Sequence, residues 1–387
     1  MEQLERTLVW SRNRTSKRRL QNSRLNQMHP EYKNVHQLFK LNGIGYTYDN
    51  LIELAYNLIK EGETYEKSIG NFLTDWLNDN DDIAVNTSGS TGKPKVIRLK
   101  KQAMVNSALA TGKFFNLEPG SSALHCLPSH YIAGKMMLVR AMVLGLEMDY
   151  IEPRSKLKLD RTKHYGFCAM IPLQLKNSLD HIKNIDTIIV GGTKVNVPLL
   201  ETISTSKLKV YETYGMTETV THVAVRQLQS KVLKGETYFK ALPNVMFAQD
   251  ERQCLIVNAK KLVNEALVTN DVVDLKSEFS FELLGRFDNV INSGGVKLFP
   301  EQIEEKLQSV IEDRFIIAGQ ADEDLGERLV LIIENPRETV ESINNKIKRV
   351  KGLAKFEVPK QICIVDKFVE TVNGKIQRAK TLDLITC

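Results

Sequence analysis

Asn86-Thr87-Ser88-Gly89-Ser90-Thr91-Gly92-Lys93-Pro94-Lys95 is the stretch on which the reading of this chain turns. It follows a strand-like run at 83–85 and precedes Val96-Ile97-Arg98-Leu99. Glycines let successive backbone N–H groups converge on one point, while hydroxyls and two lysines add donors and positive charge. A polyphosphate needs that combination. The obvious rival is the GxxxxGK[ST] loop of P-loop nucleotidases. It fails twice, because Thr87 stands five residues before Gly92 and Pro94 follows Lys93. A merely flexible Ser/Gly loop would explain neither the paired lysines nor the proline.

Outward from this loop, short apolar runs alternate with helical patterns. Strands are expected at 83–85, 123–127, 187–190, 209–211, 254–257 and 328–333, and helices at 101–115 and 300–311. That alternation predicts an α/β protein. A chain of 387 residues implies two or three domains. Residues 284–288 combine an apolar run, Gly285 and charges, and mark a joint. The expected division is a leader at 1–27, a large domain at 28–285 and a small α+β domain at 286–387.

The net charge of +6 is uneven. The leader holds Arg6, Arg12, Arg14, Lys17, Arg18, Arg19 and Arg24 against Glu2 and Glu5, which leaves the rest of the chain near neutral. It reads as a transit peptide, a nucleic-acid-binding arm or, as favoured here, a disordered extension upstream of Met28. Nothing in the body suggests a nucleic-acid partner. No apolar run reaches the roughly 18–20 residues of a membrane span; the best, 136–146, is interrupted by Arg140. Five dispersed cysteines without CxxC spacing fit reduced thiols in a cytoplasmic protein.

The loop resembles the phosphate loop of the ANL superfamily, which comprises acyl-CoA synthetases, adenylation domains and luciferases. Four further stretches, in the same order, are similar to that family's motifs. They are Tyr211-Glu212-Thr213-Tyr214-Gly215-Met216-Thr217-Glu218; Thr269-Asn270-Asp271, with Asn270 where glycine is usual; Gly285-Arg286-Phe287-Asp288 with Gly294-Gly295 and Pro300-Glu301-Gln302-Ile303-Glu304; and Asn373-Gly374-Lys375-Ile376-Gln377-Arg378. The resemblance implies a large adenylate-forming lobe, here shortened at its N-terminus, and a small mobile C-terminal lobe. It implies an ATP-dependent acid–CoA ligase that uses ATP, Mg²⁺ and coenzyme A.

Residue chemistry agrees. Activating a carboxylate brings one anion to the α-phosphate of another, so charge must be neutralised and attack aligned. Thr87, Ser88, Gly89, Ser90, Thr91, Gly92, Lys93 and Lys95 would hold the phosphates, with a hydroxyl from Thr217. One carboxylate, Glu218, suffices for Mg²⁺ carried on phosphates. Asp271 suits both ribose hydroxyls and Arg286 a further ribose or phosphate contact. Tyr214 would cover the adenine face, and the resemblance implies the backbone near Gly191, Gly192, Glu212, Thr213 and Gly215 for its edge. It also implies Lys375 as the adenylation lysine, Asp288 as the hinge, and Gly294 and Gly295 as room for pantetheine.

The acid is less legible. Pro128-Ser129-His130-Tyr131-Ile132-Ala133-Gly134 resembles an acyl-pocket segment in which His130 or Tyr131 gates the site. Arg140 lies in an apolar helical run, where it is either a carboxylate clamp or one half of a structural salt bridge. Arg140, the sequence Ile291-Asn292-Ser293-Gly294-Gly295 and the short length are similar to 2-succinylbenzoate–CoA ligases of menaquinone biosynthesis. Alternatives are a ligase for another acid, or a non-catalytic adenylation-fold protein. The shortened lobe leaves room for an open acyl pocket or one completed by a homodimer.

Overall fold

A computed structural model describes residues 30–87, 95–228, 238–371 and 376–385. The leader, residues 88–94 of the phosphate loop, and Lys375 lie outside the described residues, as do the side chains of Thr87 and Lys95.

Among the described residues the main sheet has thirteen strands and two halves. In one half Lys40–Leu41, Glu147–Tyr150, Ser122–His125, Tyr165–Met170, Ile185–Val190 and Lys209–Gly215 run parallel. These strands are buried on both faces, as Phe167, Cys168, Ala169 and Met170 illustrate, which is why they read as continuous apolar runs. The crossovers are helical: Ile132–Leu144, Pro172–Ser178 and Val197–Ser204. From His222–Gln227 onward the pairing turns antiparallel and continues through Leu267–Ser277 and Ser280–Arg286.

Helix Lys101–Phe115 forms where its pattern predicts, and packs against Ile132–Leu144. The latter is buried from Gly134 to Val143, so no amphipathic stripe is visible in its sequence. It stops at Gly145, which takes a left-handed φ of 72°. Strands Asp82–Thr87 and Lys95–Lys100 flank the phosphate loop and pair antiparallel. No helix among the described residues is long and apolar enough to cross a membrane.

The chain leaves the main sheet at Arg286, passes a 3-10 turn at Phe287–Asn289, and enters a second sheet at Ile291. That five-stranded sheet has its own cores, built around Ile317, Leu331 and Ile333 on one face and Val330, Ile332 and Phe368 on the other. Strands Ile291–Ser293 and Val296–Leu298 are joined by Gly294 and Gly295 alone, at φ +57° and +80°. A two-residue hairpin loop with positive φ at both positions favours glycine there. The helix expected at 300–311 ends at Leu307.

Candidate active site

Four parallel strands end at one cavity of about 550 Å³. Leu127 follows the first, Ala169 and Met170 close the second, Ile189 and Gly191 the third, Thr213 and Gly215 the fourth. Open α/β sheets bind ligands in this position, beyond the carboxyl ends of their strands. Thr217 and Glu218 reach the same cavity from the turn that follows.

That turn is tightly specified. A Cβ on Gly215 would lie 2.4 Å from the Thr221 carbonyl oxygen and 2.5 Å from His222 Cα, so only glycine lets the two strands close. Val220 has φ +67° and ψ −56°, and Thr221 N–H donates to the Thr219 carbonyl at 2.8 Å. This is a strained γ-turn in a β-branched residue. Such strain clusters at functional sites. Glu218 is exposed and makes no ion pair among the described residues. A carboxylate so placed fits Mg²⁺ held mainly by phosphate oxygens and water.

Asp271 and Arg286 meet because they are cross-strand partners. Arg286 donates to Asp271 Oδ1 at 3.0 Å, and Tyr214 hydroxyl donates to Oδ2 at 2.6 Å. Each carboxylate oxygen keeps a lone pair free, enough for two ribose hydroxyls. Arg286 also reaches Asp288 at 3.4 Å, and Asn270 donates to Asp288 at 3.4 Å. Asn270 Oδ1 accepts from Arg252 at 3.1 Å. Thus the expected ribose carboxylate and the expected hinge residue share one network.

Two expectations need correction. Tyr214 was expected to cover adenine, but it is only 8% exposed, with its ring 5.1 Å from Phe281 and 5.8 Å from Phe239. Strand alternation turns Thr213 and Gly215 to the cavity and Tyr214 away from it. His130 and Tyr131 do not line this cavity either; their rings lie 4.1 Å apart and both residues are exposed. The helix begins at Ile132, and Ile132 and Ala133 face the cavity in their place. The Glu212 carboxylate, buried, accepts from Val195 N–H at 3.1 Å and pairs with Arg226, tying the Gly191-Gly192 loop to its strand.

Arg140 is 2% exposed and lines the cavity. It has no carboxylate partner among the described residues. Its Nε donates to Thr111 Oγ1 at 3.4 Å and its Nη2 to His222 Nδ1 at 3.4 Å; Nη1 lies 3.7 Å from Met137 Sδ. Thr111 donates onward to the Ser107 carbonyl at 3.0 Å. Arg140 donation to Nδ1 assigns the His222 proton to Nε2, 3.5 Å from Thr111 Oγ1. Burial and the neighbouring guanidinium hold His222 well below its ordinary pKa, so it stays neutral. Burial pushes Arg140 down to about 9, which leaves it charged at neutral pH. His222 was not anticipated, although an imidazole in the apolar run His222-Val223-Ala224-Val225 was a visible signal.

The motifs kept in order, with an exposed acid in the cavity at the ends of the parallel strands, point to an adenylate-forming enzyme. A family model described as AMP-binding enzyme matches residues 57–258, and the chain belongs to that family. It is an AMP-forming acid–CoA ligase. An acyl-CoA synthetase (AMP-forming)/AMP-acid ligase II-like protein from Dyadobacter fermentans is 34% identical, over 86% of this chain and 97% of that one, with a TM-score of 0.57. The 2-succinylbenzoate–CoA ligase of Listeria monocytogenes is 26% identical over 87% of this chain and 75% of its own length. The o-succinylbenzoate CoA synthetase of Bacillus subtilis, solved with its acyl-adenylate, shares the fold at a TM-score of 0.65 and 20% identity, covering 77% and 68%.

Proposed function

We propose that this chain adenylates 2-succinylbenzoate with ATP and passes the acyl group to coenzyme A, the step such ligases perform in menaquinone biosynthesis. The observation that carries the substrate is Arg140. A guanidinium buried beside the reaction cavity with only neutral partners calls for an anion, because an uncompensated buried charge costs several kcal/mol. A dicarboxylic acid supplies one carboxylate for activation and a second for this clamp. The name borne by the Listeria relative supports the same acid.

In this reading Thr217 contacts the phosphates, Glu218 holds Mg²⁺ and Asp271 holds the ribose. Lys375 bridges the attacking carboxylate and the α-phosphate. Residues 286–387 then turn about Asp288, withdraw Lys375 and bring Gly294-Gly295 to the thiol. One site serves two half-reactions by domain rotation. Pyrophosphate release measured over a panel of mono- and dicarboxylic acids, with and without CoA, tests the proposal. Preference for a mono-acid would reject the substrate and retain the ligase.

A further inference from the structure

Helix Ile132–Leu144 buries two cations, not one. Lys135 stands five residues before Arg140, roughly 140° around the helix axis. It opens into a different cavity, of about 420 Å³, also lined by Lys67, Ser68, Asn71, Asn86 and His130. Lys135 is 7% exposed, and its ammonium lies 5.2 Å from the Phe72 ring. Among the described residues the ammonium makes no hydrogen bond or ion pair; Asp75 acts on it only from beyond pairing distance. Ser68 Oγ is buried in the same wall with no partner.

The contrast with Lys101 shows that this is not how the fold buries a lysine for structural ends. Lys101 is fully buried, and its ammonium donates to Asn78 carbonyl at 2.8 Å and Asn78 Oδ1 at 3.0 Å. Lys135 has no such acceptor. An orphan ammonium and an orphan hydroxyl around one cavity describe an anion site whose ligand is missing.

We propose that this cavity binds a phosphate oxyanion, held by Lys135 and Ser68 with Lys67, Asn71, Asn86 and His130 around it. Six donor-bearing side chains suit a group with three or more acceptor oxygens better than a planar carboxylate. Asn86 stands two residues before Ser88, where the phosphate-loop motif begins. The acid held at Arg140 is on another face of the helix, so the two anions do not compete. Two phosphates of the ligase reaction qualify as sources: pyrophosphate released on adenylation, and the phosphates of CoA.

The test titrates inorganic phosphate into the full chain at constant ionic strength and follows the melting temperature. Lys135→Met keeps the length and removes the charge. It should melt higher than the parent without phosphate, and need at least tenfold more phosphate for an equal shift. Ser68→Ala should weaken the response in the same direction. Any response common to parent and variants reports the nucleotide site. Equal phosphate responses in the parent and Lys135→Met overturn the proposal, whatever the variant's own stability. The source is resolved by kinetics. If CoA supplies the phosphate, Lys135→Met raises KM for CoA and spares 3′-dephospho-CoA; if pyrophosphate does, it weakens pyrophosphate inhibition and leaves both thiols alone. No change in either arm also rejects the site. The phosphate titration requires no turnover, so it stands apart from the choice of acid.

Discussion

At the scale of single residues, charge without a counter-charge is the informative signal. Most of the described arginines pair with a carboxylate, as Arg226 does with Glu212 and Arg378 with Glu304. Arg140 does not. Replacing it with Leu should stabilise the ligand-free protein, on the order of 1–3 kcal/mol, because a buried charge is exchanged for a packed apolar group. The same change should raise KM for 2-succinylbenzoate at least tenfold, spare KM for ATP, and lower kcat less than kcat/KM. Lys should rescue only in part, since a point charge lacks the planar fork. The folded pKa of Arg140, about 9, lies below its unfolded value, so its destabilising effect is complete below pH 9 and fades as pH rises beyond. Melting curves of parent and Arg140→Leu should therefore converge above pH 9. A lowered melting temperature in the variant at pH 7, with unchanged kinetics, would remove Arg140 from the site. Tyr214→Phe is milder: it deletes one donor to Asp271 and should raise KM for ATP a few-fold, with little effect on the acid. An unchanged KM for ATP would show that Asp271 needs no help from Tyr214.

At the scale of elements, segments far apart in sequence hold one another. Arg378, three residues after Lys375, donates to Glu304 Oε2 at 2.9 Å and to the Ile317 carbonyl at 2.8 Å. Glu304 itself accepts from Ile317 N–H at 2.7 Å. Helix Pro300–Leu307 thus anchors the segment that carries the expected adenylation lysine. Arg378→Leu leaves Glu304 partly unpaired and frees that segment. Pyrophosphate-forming activity should fall tenfold or more, with the large-lobe melting transition little changed; wild-type adenylation would show the anchor to be dispensable. The Gly294-Gly295 turn offers a second check. Gly295 has φ +80° and open space where a Cβ would stand, so Gly295→Ala carries backbone strain without a clash. It should cost about 1 kcal/mol of stability, and slow thioester formation more than adenylation if pantetheine passes there.

At the scale of the molecule, the two sheets meet through few polar contacts. Lys194 pairs with Glu305 at 2.8 Å, both about half-exposed, and Val197 N–H donates to Gln308 Oε1 at 3.4 Å. Exposed pairs of this kind contribute at most about 1 kcal/mol, which is compatible with the lobe rotation proposed above. Lys375→Ala should lower adenylation by several orders of magnitude, each tenfold step being about 1.4 kcal/mol, yet spare thioester formation from a supplied acyl-adenylate. Equal damage to both half-reactions would argue against rotation of the lobe.

The sequence by itself determined the α/β class, the order of the motifs and helix Lys101–Phe115. These follow from local periodicity, from glycine stereochemistry and from motif spacing, all of which are written in consecutive residues. Whether Arg140 had a protein partner could not be read that way, since any acid in the chain might have folded against it. Nor could the outward turn of His130 and Tyr131, which depends on where helix Ile132–Leu144 begins, or the inward turn of Tyr214, which depends on the phase of its strand. The orphan ammonium of Lys135 was equally hidden. Burial and pairing are properties of the assembled core, and only the tertiary structure decided which buried charges lack a counter-charge among the described residues.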